Sequence, residues 1–429
     1  TLWPSTSVPS RLVGGERAAT GRTDDGASGP IVVTGLGTVN ALAHSAATFA
    51  SALRAGTCAI APVTGFDVTG YRSRIAAEVK DLAVPDWLPS PLRRRASRSD
   101  LFALVATAEA LADSRLDVAA APTRVGVVLG ATTGGMMRAE TCLHDRIDGR
   151  RRRYRKSPLL ATPLATSADV LAAVFGLAGP RLVLSTACSS SANALGIALD
   201  WIRLGRADAV IAGGTESMCR TIFAGFNALH ALSLEPCRPF DRQRTGLSLG
   251  EGAAILVIES AAHAARRGAP VHAMLLGYGM SADAHHLTAP HPEGTGAALA
   301  MRRALTRAGV APADIDYINA HGTGTPLNDG IEAAAIQRVF GGTARRLAVS
   351  STKAALGHTL GAAGAIEGLA TVLALRDGFL PPTVNLEEPD PACDLDLVPR
   401  RSRAARLRYA LSNSYGFGGN NTVVVFGRA

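Results

Sequence analysis

Lysine is almost missing from this chain of 429 residues. Of its 44 basic residues only Lys80, Lys156 and Lys353 are lysines. Arginine fills the rest, so each retained lysine hints at a need for a compact ammonium instead of a planar fork. Aromatic residues make up only 5%. The formal charge of +9 therefore comes without the ring-rich surface expected of a nucleic-acid binder, and acidic proteins are the expected partners. Cysteine occurs six times, at positions 58, 142, 188, 219, 237 and 393, and never as CxxC. That spacing suggests neither a zinc site nor a disulfide framework and fits a reducing, cytoplasmic setting. No apolar run reaches the roughly 18 residues of a membrane span. Residues 1–29 hold no apolar stretch typical of a secretion signal, and predict a flexible leader before the first strand.

What is present is a globular balance of 47% hydrophobic and 18% charged residues, on a length beyond one ordinary core. Strand-like and helix-like stretches alternate from "IVVTGLG" at Ile31 onward. This predicts an α/β fold with helices covering a buried sheet. The element order repeats after a break near Val271, so two halves are expected, 30–270 and 271–429. The first turn, "TGLGTVN", lacks the third Gly or Ala of a dinucleotide loop and the acidic residue about 20 positions on, and reads as a tight turn. The basic run "GRRRRYRK", Gly149 to Lys156, reads as a solvated loop or as a dock for an acidic protein.

Four loops carry chemistry. In "LSTACSSSANALG" a strand ends, Cys188 follows, and small residues lead into a helix. A thiol at a helix start gains thiolate character from the aligned peptide dipoles. In "NAHGTGTPLND" His321 emerges from a strand end. In "SSTKAALGHTLGAAGAIE" Lys353 and His358 stand five apart. In "SNSYGFGGNN" glycines allow backbone N–H groups close to a substrate. Alone, each cysteine or histidine has a plain structural reading. Together they place one thiol and two imidazoles at strand carboxyl ends, where open α/β sheets bind ligands, in the pattern of covalent catalysis.

These motifs, with "GGTESM", "CRPFDRQRTGLSLGEGA" and "DAHHLTAPHP", occur in one order from about Pro30 to the end. In that combination the chain resembles the elongating β-ketoacyl-ACP synthases of type II fatty-acid and polyketide systems. The resemblance implies a thiolase-like duplicated fold, five-layer αβαβα with two central mixed sheets. It implies Cys188 as acyl-accepting nucleophile, and His321 and His358 as donors to the extender thioester and the enolate left when CO2 departs. Lys353 is expected to order the histidines through Glu367. The N–H groups of Cys188 and Phe417 would form the oxyanion hole, with Phe417 also gating the acyl pocket. Thr323, Thr325 and Thr288 would bind substrate, and Thr133 and Leu247 would line the acyl pocket, Thr133 across a dimer interface. Arg155 and Lys156 would dock acyl carrier protein. No metal and no cofactor is implied, since the phosphopantetheine belongs to the carrier.

Some positions depart from the family pattern. Leu247 stands where Phe is common, Tyr415 where Phe is common, Asn420 where Thr is common, and His230 where some members have Arg. Leu247 would make room for a stiffer or more polar chain, such as a polyene. A thiolase would need a second cysteine in the last glycine-rich motif, which here has none. A chain-length-factor-like subunit would lack the nucleophile. The expectation is thus an active condensing subunit, in a homodimer or in a heterodimer with a chain-length-factor homologue.

Overall fold

The computed structural model describes residues 29–149 and 157–429. The dock expected at Arg155 and Lys156, and the leader up to residue 28, lie outside the described residues. The first half supplies β1 (Ile31–Asn40), α1 (Arg98–Ser114), β2 (Val125–Gly130), α2 (Thr166–Phe175), β3 (Arg181–Leu184), α3 (Ser190–Arg203), β4 (Ala209–Glu216) and β5 (Gly252–Ser260). The second supplies β6 (Ala273–Ala282), α4 (Thr295–Ala308), β7 (Tyr317–Asn319), α5 (Asn328–Phe340), β8 (Ala348–Ser350), α6 (Ala363–Asp377), β9 (Tyr409–Gly416) and β10 (Asn420–Arg428).

Each half has the same topology. The spatial order is β3-β2-β4-β5-β1 in one and β8-β7-β9-β10-β6 in the other, the same permutation shifted by five strands. The first three strands of each order run parallel and the last two join antiparallel. The two half-sheets are joined where β1 and β6 share two residue pairs, Val32 with Met274 and Val33 with Ala273. The hydrogen-bond ladder therefore runs through both halves, with a short edge strand, Asp396–Leu397, beyond β8.

Burial sorts the helices into layers. Residues of α6 from Ala363 to Leu375 are all buried, with no polar stripe left for solvent. Both α3 and α6 pack on strands of both halves and on each other. They can approach closely because Gly364 lies against Ala192, where a Cβ would come within 2.6 Å of the Ala192 nitrogen. On the outside, α1 and α2 cover the first half-sheet through a core containing Phe102, Val127 and Leu171. On the opposite outside, α4 and α5 cover the second through Met301, Ile318 and Ile336. This is a five-layer arrangement, and its duplication sets the chemistry. The β3–α3 connection carries Cys188, and its counterpart, the β8–α6 connection, carries Lys353 and His358.

Candidate active site

The strand ends converge on a cavity of about 360 Å³. Cys188, His321, His358 and Phe417 all line it, as do Thr288, Thr323, Thr325 and Leu247. Each lies in a loop or turn between elements: Cys188 after β3, His321 after β7, His358 after β8 and Phe417 after β9. Thr133 does not line it. It is buried after β2, and its hydroxyl and N–H both donate to Glu216, whose carboxylate also accepts the N–H of Thr132 and of Gly361.

Cys188 stands on a tight turn. The preceding residue, Ala187, has φ +52°, a conformation that costs a non-glycine residue energy. The helix begins with Ser190, two residues after Cys188. Gly416 packs so near that a Cβ there would lie 3.2 Å from the Cys188 nitrogen. The N–H groups of Phe417 and of Cys188 itself both face the thiol and, with the Lys353 charge, favour the thiolate. Burial outweighs them and pushes the thiol up to about 11. The helix-start location was expected to lower it; desolvation reverses that expectation.

His358 is 2% exposed. Its Nδ1 accepts the N–H of Leu360 at 3.2 Å, so the neutral ring carries its proton on Nε2. That Nε2 has no partner among the described residues and is a free donor. The His321 ring lies 5.4 Å away, nearly perpendicular at 85°. Burial, the Lys353 charge and, for His321, the neighbouring His358 push both imidazoles well below the usual histidine value. Both are therefore neutral at pH 7, able to donate one N–H without carrying charge.

Lys353 ion-pairs with Glu367, and the two side chains are 1% and 2% exposed. Burial drives Glu367 up to about 7 against the pull of the ammonium. Neither residue hydrogen-bonds an imidazole in the structure. The Lys353 charge disfavours the protonated form of both histidines.

The His321 loop is pinned from below by two acids on the first turns of α5. Glu332 accepts the N–H of His321 at 2.9 Å and of Gly322 at 2.8 Å, and the Asn413 amide at 3.0 Å. Asp329 accepts the N–H of Thr323 at 3.1 Å and of Gly324. The Thr323 and Thr325 hydroxyls are paired at 2.9 Å on the cavity wall. Burial raises both acids. Sequence reading gave these two acids no role, although their spacing of eight and eleven residues from His321 was available.

Phe417 occupies a turn with Gly418 at φ +79° and Gly419 at φ +74°. Its ring stacks on Phe226 at 5.8 Å and 20°, a partner that no local pattern reveals. Leu247 is buried at 4% exposure and belongs to an apolar cluster with Met218, Phe223 and Leu360. At the mouth, His230 accepts a hydrogen bond from Arg72 at Nδ1, 2.7 Å, since a guanidinium can only donate. The arrangement offers a nucleophilic sulfur, two backbone N–H groups beside it, and two neutral imidazoles facing the same space. That set can hold an acyl group covalently and stabilise an oxyanion.

Known proteins resemble this chain over most of its length. The profile of the beta-ketoacyl synthase N-terminal domain matches residues 28–264, and that of the C-terminal domain matches residues 272–387. A 3-oxoacyl-[acyl-carrier-protein] synthase 2 of Coxiella burnetii (strain RSA 493 / Nine Mile phase I) is 41% identical, over 93% of this chain and 98% of that protein. Among solved structures, the ishigamide ketosynthase/chain length factor superposes with a TM-score of 0.88 at 35% identity, covering 94% of this chain and 99% of the other. A type II polyketide ketosynthase (AntDE), solved with its acyl-carrier protein (AntF) and bound to the hexaketide, gives a TM-score of 0.86 at 31% identity, covering 94% and 100%.

Proposed function

The chain belongs to the beta-ketoacyl synthase family, and from that premise we propose a two-stage decarboxylative condensation for it. An acyl group passes from the thiol of a carrier protein to the Cys188 sulfur. The carrier thiol leaves with the proton that Cys188 gives up. A malonyl-carrier thioester then enters against His321 and His358. Its carbon–carboxylate bond breaks, CO2 leaves, and the electron pair becomes an enolate whose oxygen the imidazole N–H groups hold. The enolate carbon attacks the acyl carbon, the C–S bond to Cys188 breaks, the released sulfur takes up a proton from water, and 3-ketoacyl-carrier protein departs.

The observation that carries this reading is one cavity lined by Cys188, His321 and His358 together. Neutral imidazoles suit the step. Charge develops on the oxygen only as CO2 leaves, and preorganised N–H donors in a water-poor site favour that state over the substrate. The pull of the Cys188 and Phe417 N–H groups on the thiol supports their role as donors to the tetrahedral intermediates on either side. The stoichiometry calls for no redox or metal group on this chain.

Relatives that act on acyl-carrier protein, and one solved with it, support that partner here. The likeness to a ketosynthase/chain length factor structure supports pairing with a second chain of the same fold, either its own copy or a chain-length-factor homologue. Among the described residues no helix is long and apolar enough to cross a membrane. Cys58, Cys188, Cys219, Cys237 and Cys393 form no disulfide among the described residues, which supports a reducing, cytoplasmic setting. The test is reconstitution with acyl- and malonyl-carrier proteins, comparing the native chain with Cys188→Ser. Formation of 3-ketoacyl-carrier protein by the first alone supports the reading. Product from both, or from neither when a partner chain is supplied, would overturn it.

A further inference from the structure

Tyr415 is the next-to-last residue of β9, just before Gly416 and the Phe417 turn, and lines the same cavity as Cys188 and the two histidines. The residue is 8% exposed. Its ring lies 5.6 Å from the His321 ring, tilted by 56°. Burial and two nearby carboxylates, Glu332 and Asp283, hold its phenol well above the ordinary value of 10, so the group is protonated and can donate.

Neither carboxylate accepts that proton. Asp283, on the cavity wall, is engaged by the Asn421 amide at 2.7 Å and the His291 N–H at 3.1 Å. Glu332 is engaged by the His321 loop and Asn413. Among the described residues the Tyr415 hydroxyl has no hydrogen-bond partner. A buried donor without an acceptor is unfavourable, and phenylalanine would fill the same space without that penalty. A hydroxyl kept at such a place is suited to an acceptor brought by a ligand.

We propose that the Tyr415 hydroxyl is a substrate-binding donor for an oxygen of the β-carboxyacyl extender seated against His321. The inference rests on the functional reading above. It assigns the hydroxyl to the second substrate and not the first. A malonyl unit brings carboxylate and carbonyl oxygens to the His321 side of the cavity. A hydrocarbon acyl group on Cys188 brings only its thioester oxygen, which faces the N–H groups of Cys188 and Phe417.

The test is Tyr415→Phe in the full chain, assayed in both half-reactions beside the native protein. Acyl transfer to Cys188 is followed by intact mass, and condensation by product formation as malonyl-carrier protein is varied. The expected result is acyl transfer within about twofold of native, a thermal midpoint equal or higher, and kcat/KM for malonyl-carrier protein lowered about tenfold, the effect of one ordinary hydrogen bond. Unchanged kcat/KM would overturn the proposal, and so would equal losses in both half-reactions, which mark a structural role. A native protein that accepts the acyl group but never condenses would remove the functional reading itself.

Discussion

Lys353 and Glu367 form one buried ion pair, and removing one half is not equivalent to removing the other. Both side chains are essentially inaccessible, so the remaining charge must stay buried alone or be neutralised. Glu367 is already pushed up to about 7 with Lys353 beside it. In Lys353→Met the carboxyl rises further and is protonated at pH 7. Relative to an unfolded carboxyl near 4.5, that neutralisation costs at most about 3 kcal/mol, and the methionine fills the vacated volume. In Glu367→Gln the ammonium is stranded. Breaking a buried pair so that one charge stays uncompensated costs about 3–5 kcal/mol. The expected order of stability at pH 7 is native, then Lys353→Met, then Glu367→Gln, with about 1–2 kcal/mol between the variants. The double variant Lys353→Met/Glu367→Leu should recover much of the loss, because no charge is left unpaired. Denaturant unfolding at fixed protein concentration measures all four. A Lys353→Met variant as unstable as Glu367→Gln, or a double variant as unstable as the sum of the singles, would refute the reasoning.

Three other outcomes follow from the same geometry. The folded chain binds protons at His321 and His358 more weakly than the unfolded chain does, so the unfolded state gains protons as pH falls through about 6.5, and stability drops with falling pH by up to about 1.4 kcal/mol per unit for each histidine; unfolding free energies at pH 7 and 5.5 for the native chain and His321→Asn should show a shallower loss in the variant, and equal losses would contradict it. With its thiol up at about 11, Cys188 should be alkylated by iodoacetamide about tenfold faster per pH unit from 7 to 10, whereas a plateau below pH 8 would mean that the helix start and Lys353 prevail over burial. Phe226→Ala removes the stacking partner of Phe417; such a pair holds about 0.5–1.5 kcal/mol, so alkylation of Cys188 should quicken up to about tenfold if the ring screens the thiol, and an unchanged rate would show that it does not.

Much of the site was legible because its residues sit in short motifs at strand ends. Cys188, His321 and His358 each had a plain structural reading alone and stood out only in combination, at strand ends, and the alternation of elements pointed to helices covering a buried sheet. What escaped sequence reading was decided by distant packing. The burial that raises the Cys188 thiol comes from elements of both halves. Glu332 and Asp329 look like plain helix-start acids until the His321 loop folds back over them. Phe226 meets Phe417 across 191 positions of sequence, and the isolated phenol of Tyr415 follows from where Asp283 and Glu332 spend their own hydrogen bonds. Thr133, which the resemblance places in the acyl pocket across a dimer interface, is held by Glu216 outside the cavity of its own chain.

The central claim is that Cys188 carries the acyl group between two carrier proteins. The most direct measurement is the intact mass of the purified chain, with any required partner, mixed first with acyl-carrier protein and then with malonyl-carrier protein. The expected record is a mass gain equal to the acyl group, mapped to Cys188 and missing in Cys188→Ala. That gain should disappear as 3-ketoacyl-carrier protein and CO2 form in equal amounts. A gain on another residue, or an acyl-Cys188 that persists while malonyl-carrier protein is consumed, would contradict the account.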